Sequence, residues 1–126
     1  MSDKFIVEII SPDQTILKQE TSEVIIPSFE GQMGILKDHI PLITFLRPGL
    51  IQIGKDNKFY VEEGTVEFIN NNLLILSATT QRLVEMKIEI ISKMIADAEK
   101  SLSQNQINDK QKYFLNHKID TLKQIN

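Results

Sequence analysis

No cysteine occurs in the chain, which excludes a disulfide scaffold, a thiolate metal site and a cysteine nucleophile. Histidine is scarce too: His39 and His117 must carry any imidazole chemistry, and they lie in different regions of the chain. No apolar run approaches the ~20 residues of a membrane helix, so direct insertion into a bilayer is not expected. Basic charge is equally short. Fourteen basic residues stand against 17 acidic ones, a net charge of -3, and without clustered cations there is no electrostatic footprint for nucleic acid. Glycine and proline are missing from one region only: all five glycines and all four prolines lie at or before Gly64. Because both residues punctuate turns and break helices, a turn-rich β region gives way to one that permits long helices.

What remains is the balance of an ordinary globular domain, 126 residues with 41% hydrophobic and 25% charged content. Residues 5–10 read as a strand stopped by Ser11 and Pro12, and short β-branched runs recur at 23–26, 50–53, 58–61, 65–69 and 73–76. Asn70, Asn71 and Asn72 mark a tight turn, since asparagine tolerates left-handed backbone. The pattern predicts an antiparallel sandwich or barrel with several strands covered on both faces. From Leu83 the period changes. Ile88, Ile91, Ile95, Ala98 and Leu102 share one helical stripe, widened by Ile90 and Met94, while Leu115, Ile119 and Leu122 mark a second helix. Asn108 and Gln111 resemble a capping box at its start. The expected fold is α+β: a β-sandwich over residues 1–84, then an antiparallel αα-hairpin over 85–126, with a joint at 80–84. The first part carries -4 and the second +1.

Catalytic motifs are missing. Gly54-Lys55 is followed by Asp56 and lacks the upstream glycine of a phosphate loop, and neither Gly-x-Ser-x-Gly nor His-Glu-x-x-His occurs. Glu62 and Glu63, adjacent in an extended segment, point to opposite faces and form no general acid/base pair, which leaves them as a solvated turn approach. No catalytic residue and no metal site is expected. The region from Pro27 to Gly49 is dense in special residues, and glycines at 31 and 34 predict a tight turn or bulge that a partner approaches closely.

That region resembles a known family. Glu30-Gly31-Gln32-Met33-Gly34-Ile35-Leu36, His39-Ile40-Pro41-Leu42 and Pro48-Gly49-Leu50-Ile51 follow in order the pattern of the ε subunit of bacterial F-type ATP synthases, the δ subunit of the mitochondrial enzyme. The opening Val7-Glu8-Ile9-Ile10-Ser11-Pro12 and the later Leu74-Ile75-Leu76-Ser77-Ala78 are similar to it as well. The resemblance implies a ten-stranded sandwich and a two-helix hairpin in a subunit that does no chemistry itself. It implies partners: the γ subunit, the ring of c subunits, and the catalytic α and β subunits, reached by helices that pack on the sandwich or extend along γ to inhibit ATP hydrolysis. It further implies a peripheral location on the cytoplasmic face of the bacterial inner membrane, consistent with an N-terminus that shows neither signal-peptide nor transit-peptide features. A free-standing sandwich adaptor whose helices bind an unrelated protein is the alternative.

Carried over residue by residue, the resemblance assigns Glu30, Gly31, Gln32, Gly34 and His39 to the loop facing γ and the c ring. Gln32 replaces the acid that many members carry between the glycines. Lys112, Lys118 and Lys123, which border the apolar stripe of the last helix, become the regulatory contact to the catalytic subunits; the bland reading is a solvated helix border. Some members bind ATP on the hairpin through an aliphatic residue, Asp, two variable positions, Arg and Ala. Asn108-Asp109-Lys110-Gln111-Lys112-Tyr113 keeps the acid, Asp109, and a positive charge, Lys112, but lysine lacks arginine's planar fork and tyrosine is far bulkier than alanine. No cofactor is therefore expected.

Overall fold

In a computed structural model, residues 3–125 are described. Ten strands come first: β1 (Phe5–Ile10), β2 (Thr15–Thr21), β3 (Glu23–Ser28), β4 (Gly31–Leu36), β5 (Leu42–Leu46), β6 (Gly49–Ile53), β7 (Asn57–Val61), β8 (Gly64–Ile69), β9 (Asn72–Leu76) and β10 (Gln81–Arg82). A short 3-10 turn, Leu83–Glu85, leads into α1 (Ile88–Leu102) and α2 (Asp109–Ile125). The strands run in the order β10-β7-β6-β3-β5-β8-β9-β1-β2, with β4 attached to β3. All pairings are antiparallel except β1 with β9. A parallel pair needs a long crossover, and here the whole run from β2 to β8 supplies it.

Alternation along the strands builds the core. Val66 and Phe68 of β8 point inward while Thr65, Glu67 and Ile69 point out, and β1, β3, β6 and β9 contribute Val7, Ile9, Val24, Ile26, Ile51, Ile53, Leu73 and Ile75 to the same interior. Strand β7 departs from alternation, since Phe59, Tyr60 and Val61 are all buried. Phe59 and Val61 face the sandwich core, while Tyr60 faces outward into a second cluster with Ile91, Ile95 and Leu122, to which Leu50, Met86, Met94 and Ile125 add partial cover. The hairpin therefore seats on the outer face of β6 and β7.

The turns follow from residue chemistry. Asn70 and Asn71 take φ of 50° and 60° between β8 and β9, the mirror-image turn that matches strand twist. In the capping box at α2, Asn108 N–H donates to Gln111 Oε1 at 2.9 Å and Gln111 N–H donates to Asn108 Oδ1 at 2.8 Å.

Three expectations shift. The loop expected from Glu30 to Gly34 lies mostly on the edge strand β4; the turn proper is Phe29 and Glu30, between the paired Ser28 and Gly31. Strand β3 does not stop at Pro27 but passes through it, because β3 leaves β6 at Ile25 and reaches β5 at Ser28, so no partner needs an N–H there. Arg82 belongs to the sandwich: its guanidinium lies 5.1 Å over the Phe59 ring and donates to the Ile16 carbonyl at 3.1 Å. The chain comes free of the sheet only after β10, where Val84 is 91% exposed.

Candidate functional site

Two surfaces stand out, the uncovered outer face of the sandwich and the seam between sandwich and hairpin. On the first, paired residues share a face. Phe45, Thr65, Leu76 and Ile10 form one row across β5, β8, β9 and β1, and Ile43, Glu67, Leu74 and Glu8 form the next. Ile43 is 76% exposed and Phe45 60%, with Ile69 and Leu76 also exposed. An apolar groove of about 800 Å³ continues this face past Phe29 to Lys110 and Phe114 of α2. Contiguous apolar surface of this kind marks an interaction site.

The turn expected to meet a partner is held by the Ser28 hydroxyl. Ser28 Oγ donates to the Gly31 carbonyl at 2.8 Å and accepts from Glu30 N–H at 3.2 Å. Gly31 has φ of 129°, and space is open where a Cβ would stand at Gly31 and Gly34. Glu30 and Gln32 are exposed. His39 is not beside them. It lies beyond the far end of β4, a six-residue strand spanning roughly 17 Å, with Nδ1 2.8 Å from the Ile40 carbonyl and its ring edge-on to Phe68 at 5.9 Å.

Two of the three candidate lysines are paired, one of them across the seam. Lys118 Nζ lies 3.0 Å from Glu62 Oε2, an oxygen that also accepts from the Tyr60 hydroxyl at 2.8 Å. Both members of the ion pair are mostly buried at 21% and 18% exposure, and burial together with the Glu62 charge pushes the Tyr60 hydroxyl pKa well above its usual value of about 10. Glu62 and Glu63 diverge as expected, but Glu62 is no solvated turn residue; it joins α2 to the sandwich. Lys123 Nζ lies 3.4 Å from Glu99 Oε2 of α1, in an exposed pair. Lys112 is exposed, and so is Asp109 at the first turn of α2. The cleft of about 630 Å³ between the helix ends is lined by Lys110, Gln111 and Phe114 among others, and by neither Asp109 nor Lys112, so the two residues carried over for ATP do not meet in it.

A further contact was invisible in the pattern. Tyr113 stacks on Phe29 with ring centroids 5.4 Å apart, and its hydroxyl donates to the Phe29 carbonyl at 2.8 Å. Thus the first turns of α2 rest on the β3–β4 turn. His117, one helical turn on, meets Tyr113 edge-on at 4.4 Å. The apolar run Phe59-Tyr60-Val61 in β7 was the available signal for the seam, since a strand buried on both faces needs a second cover; nothing in the sequence placed Phe29, Glu62, Tyr113 or His117 at it. Among the described residues no cluster of three or more histidine, cysteine or acidic groups is placed to hold a metal ion, and no helix is long and apolar enough to cross a membrane.

Comparison with known proteins agrees with this geometry. The family model of the "ATP synthase, Delta/Epsilon chain, beta-sandwich domain" matches residues 4–83. The ATP synthase epsilon chain of Pelagibacter ubique is 44% identical over the full length of both chains. That of Dichelobacter nodosus is 36% identical over 79% of this chain and 73% of its own. Among solved structures, a chain of the Euglena gracilis mitochondrial ATP synthase superposes with a TM-score of 0.80 at 17% identity, covering 98% of this chain and 82% of that one. A chain of the Tetrahymena thermophila mitochondrial ATP synthase central stalk and c-ring gives 0.67 at 17% identity, over 94% and 93%. With a sandwich-family match over most of its length and a full-length relative of this identity, the chain belongs to the family of ATP synthase epsilon chains.

Proposed function

We propose that the chain is a non-catalytic part of the central stalk, tying the rotating γ subunit to the c ring at the cytoplasmic face of the bacterial inner membrane. The observation that carries this reading is the uncovered apolar face around Ile43, Phe45 and Leu76. One outer face of the sandwich is already sealed by the hairpin, and the other offers the kind of surface that a permanent partner buries. The γ subunit is the partner assigned to it. The turn at Glu30 and Gly31, with Gln32 and Gly34 on the adjoining edge strand, meets the c ring, which is part of the Euglena and Tetrahymena assemblies that hold chains of this fold. His39 holds the far end of β4 rather than the contact itself.

The hairpin regulates. Docked, it spends Lys118 on Glu62 of the sandwich; released, it presents Lys118, with Lys112 and Lys123, to the α and β catalytic subunits and restrains hydrolysis. The test is truncation after Ser103 in the assembled complex. Full-length and shortened chains are both expected to co-purify with γ in near-equal amounts, and hydrolysis of ATP is expected to rise when the tail is gone. Equal hydrolysis rates refute the regulatory role, and absence of γ from the full-length preparation refutes the stalk assignment.

A further inference from the structure

His117 is the histidine that α2 carries into the seam. It is half-buried in a cleft of about 320 Å³ walled by β3, β4, the β5–β6 link, β6, β7 and α2. Three charged side chains line that cleft with it: Arg47 from the β5–β6 link, Lys58 from β7, and Asp120 from α2; the other polar lining is neutral, and none of it comes from α1. The ring of His117 also backs the aromatic contact by which α2 grips the sandwich, lying 4.4 Å from Tyr113, which in turn stacks on Phe29. A proton added to this imidazole places a third cation in a cleft that already holds Arg47 and Lys58, with one carboxylate, Asp120, in opposition.

We propose that His117 makes the docking of the hairpin on the sandwich pH-dependent: the neutral imidazole lets α2 seat, and protonation favours its release. The proposal rests on the reading of the hairpin as a movable regulatory element and names the proton as one of its regulators. Burial and the Arg47 charge lower the His117 pKa, while Asp120 raises it, and the net direction is down from the ordinary value of about 6.5. Released, the ring is in water and titrates near about 6.5. Between the lowered docked value and that ordinary one, the released form binds the extra proton. Docking is therefore at full strength above about pH 6.5 and weakens as pH falls below it, by at most about tenfold in the docked-to-released ratio per pH unit. Acidification thus increases the supply of released, inhibitory hairpin.

The absence of native cysteine makes the experiment clean. Spin labels at D56C, on the exposed β6–β7 turn, and N105C, on the exposed link between the helices, report their separation in the full-length chain between pH 7.5 and 5.5. The expected result is a growing long-distance population below about pH 6.5, abolished by H117Q. A pH response that survives H117Q overturns the proposal, and so does a wild-type chain with no response. Ring-proton NMR of the unlabelled chain supplies an independent readout, with H39Q used to assign the two histidines. A His117 midpoint below about 6.5 supports the proposal, and a midpoint at or above that value overturns it even if H117Q fails to fold. A pH-dependent hairpin whose truncation leaves hydrolysis unchanged would refute the regulatory reading alone.

Discussion

Replacing Leu122 by alanine should separate the two halves of the molecule energetically. Leu122 is fully buried, yet it belongs to the cluster with Tyr60, Ile91 and Ile95 rather than to the interior of the sandwich. The two buried clusters share no residue. A buried Leu→Ala change loses both transfer free energy and the contacts around the new cavity, about 2–5 kcal/mol. Met86, Met94 and Ile125 at the margin of the seam are only partly buried and can relax into the space, so the lower part of that range, about 2–3 kcal/mol, applies. At 1.36 kcal/mol per tenfold, this is roughly a 30- to 160-fold rise in the open population. Amide hydrogen exchange resolves where the loss falls. Backbone amides of α1 and α2 are expected to lose protection by that factor, while those of β1, β3 and β9 keep theirs. Equal loss in strands and helices would show one cooperative unit, refuting the argument that the hairpin is a separable cover; unchanged helix protection would refute the energetic role of the seam.

Two other substitutions probe polar and steric features. Lys118→Met leaves Glu62 half-buried with only the Tyr60 hydroxyl as partner and is expected to weaken hairpin docking by about 1 kcal/mol. Adding Glu62→Gln should recover most of that loss in chemical denaturation followed by tyrosine signals, and a double variant as weak as the sum of the singles would argue against a coupled pair. Gly64→Ala is expected to destabilise the sandwich itself by about 2–3 kcal/mol, because a Cβ there would stand 2.5 Å from the Leu76 carbonyl oxygen and 2.9 Å from Ser77 Cβ. A thermal midpoint within a degree of the parent's would show that β8 and β9 part easily at this point.

Much of the local structure was legible because local physics sets it. The breaks at Pro12, Gly54 and Asn70-Asn71, the strand at 5–10 and the capping box at Asn108 each depend on residues within a few positions of one another. The edge strand β4 was not legible, since Gly31-Gln32-Met33-Gly34 carries little strand propensity and is held by its pairing with β3. The stripe of α1 was legible in direction but not in width. Ile91, Ile95 and Ala98 are buried, whereas Ile88 and Ile90 remain exposed, because the sandwich covers only the middle of the face.

The sequence by itself determined a two-part protein: confinement of glycine and proline to the first 64 residues requires turns there and allows long helices after it, whatever the packing. It also carried enough of an ordered motif, from Glu30 through Gly49, to point to the family. Only the tertiary structure decided which side chains meet across the seam. Tyr113 and Phe29 lie 84 residues apart, and Lys118 reaches Glu62 from the last helix. Such contacts contribute about 1 kcal/mol each, too little to impose a composition or a period on the chain. They exist because the apolar cluster around Leu122 and Tyr60 first fixes where the hairpin lies.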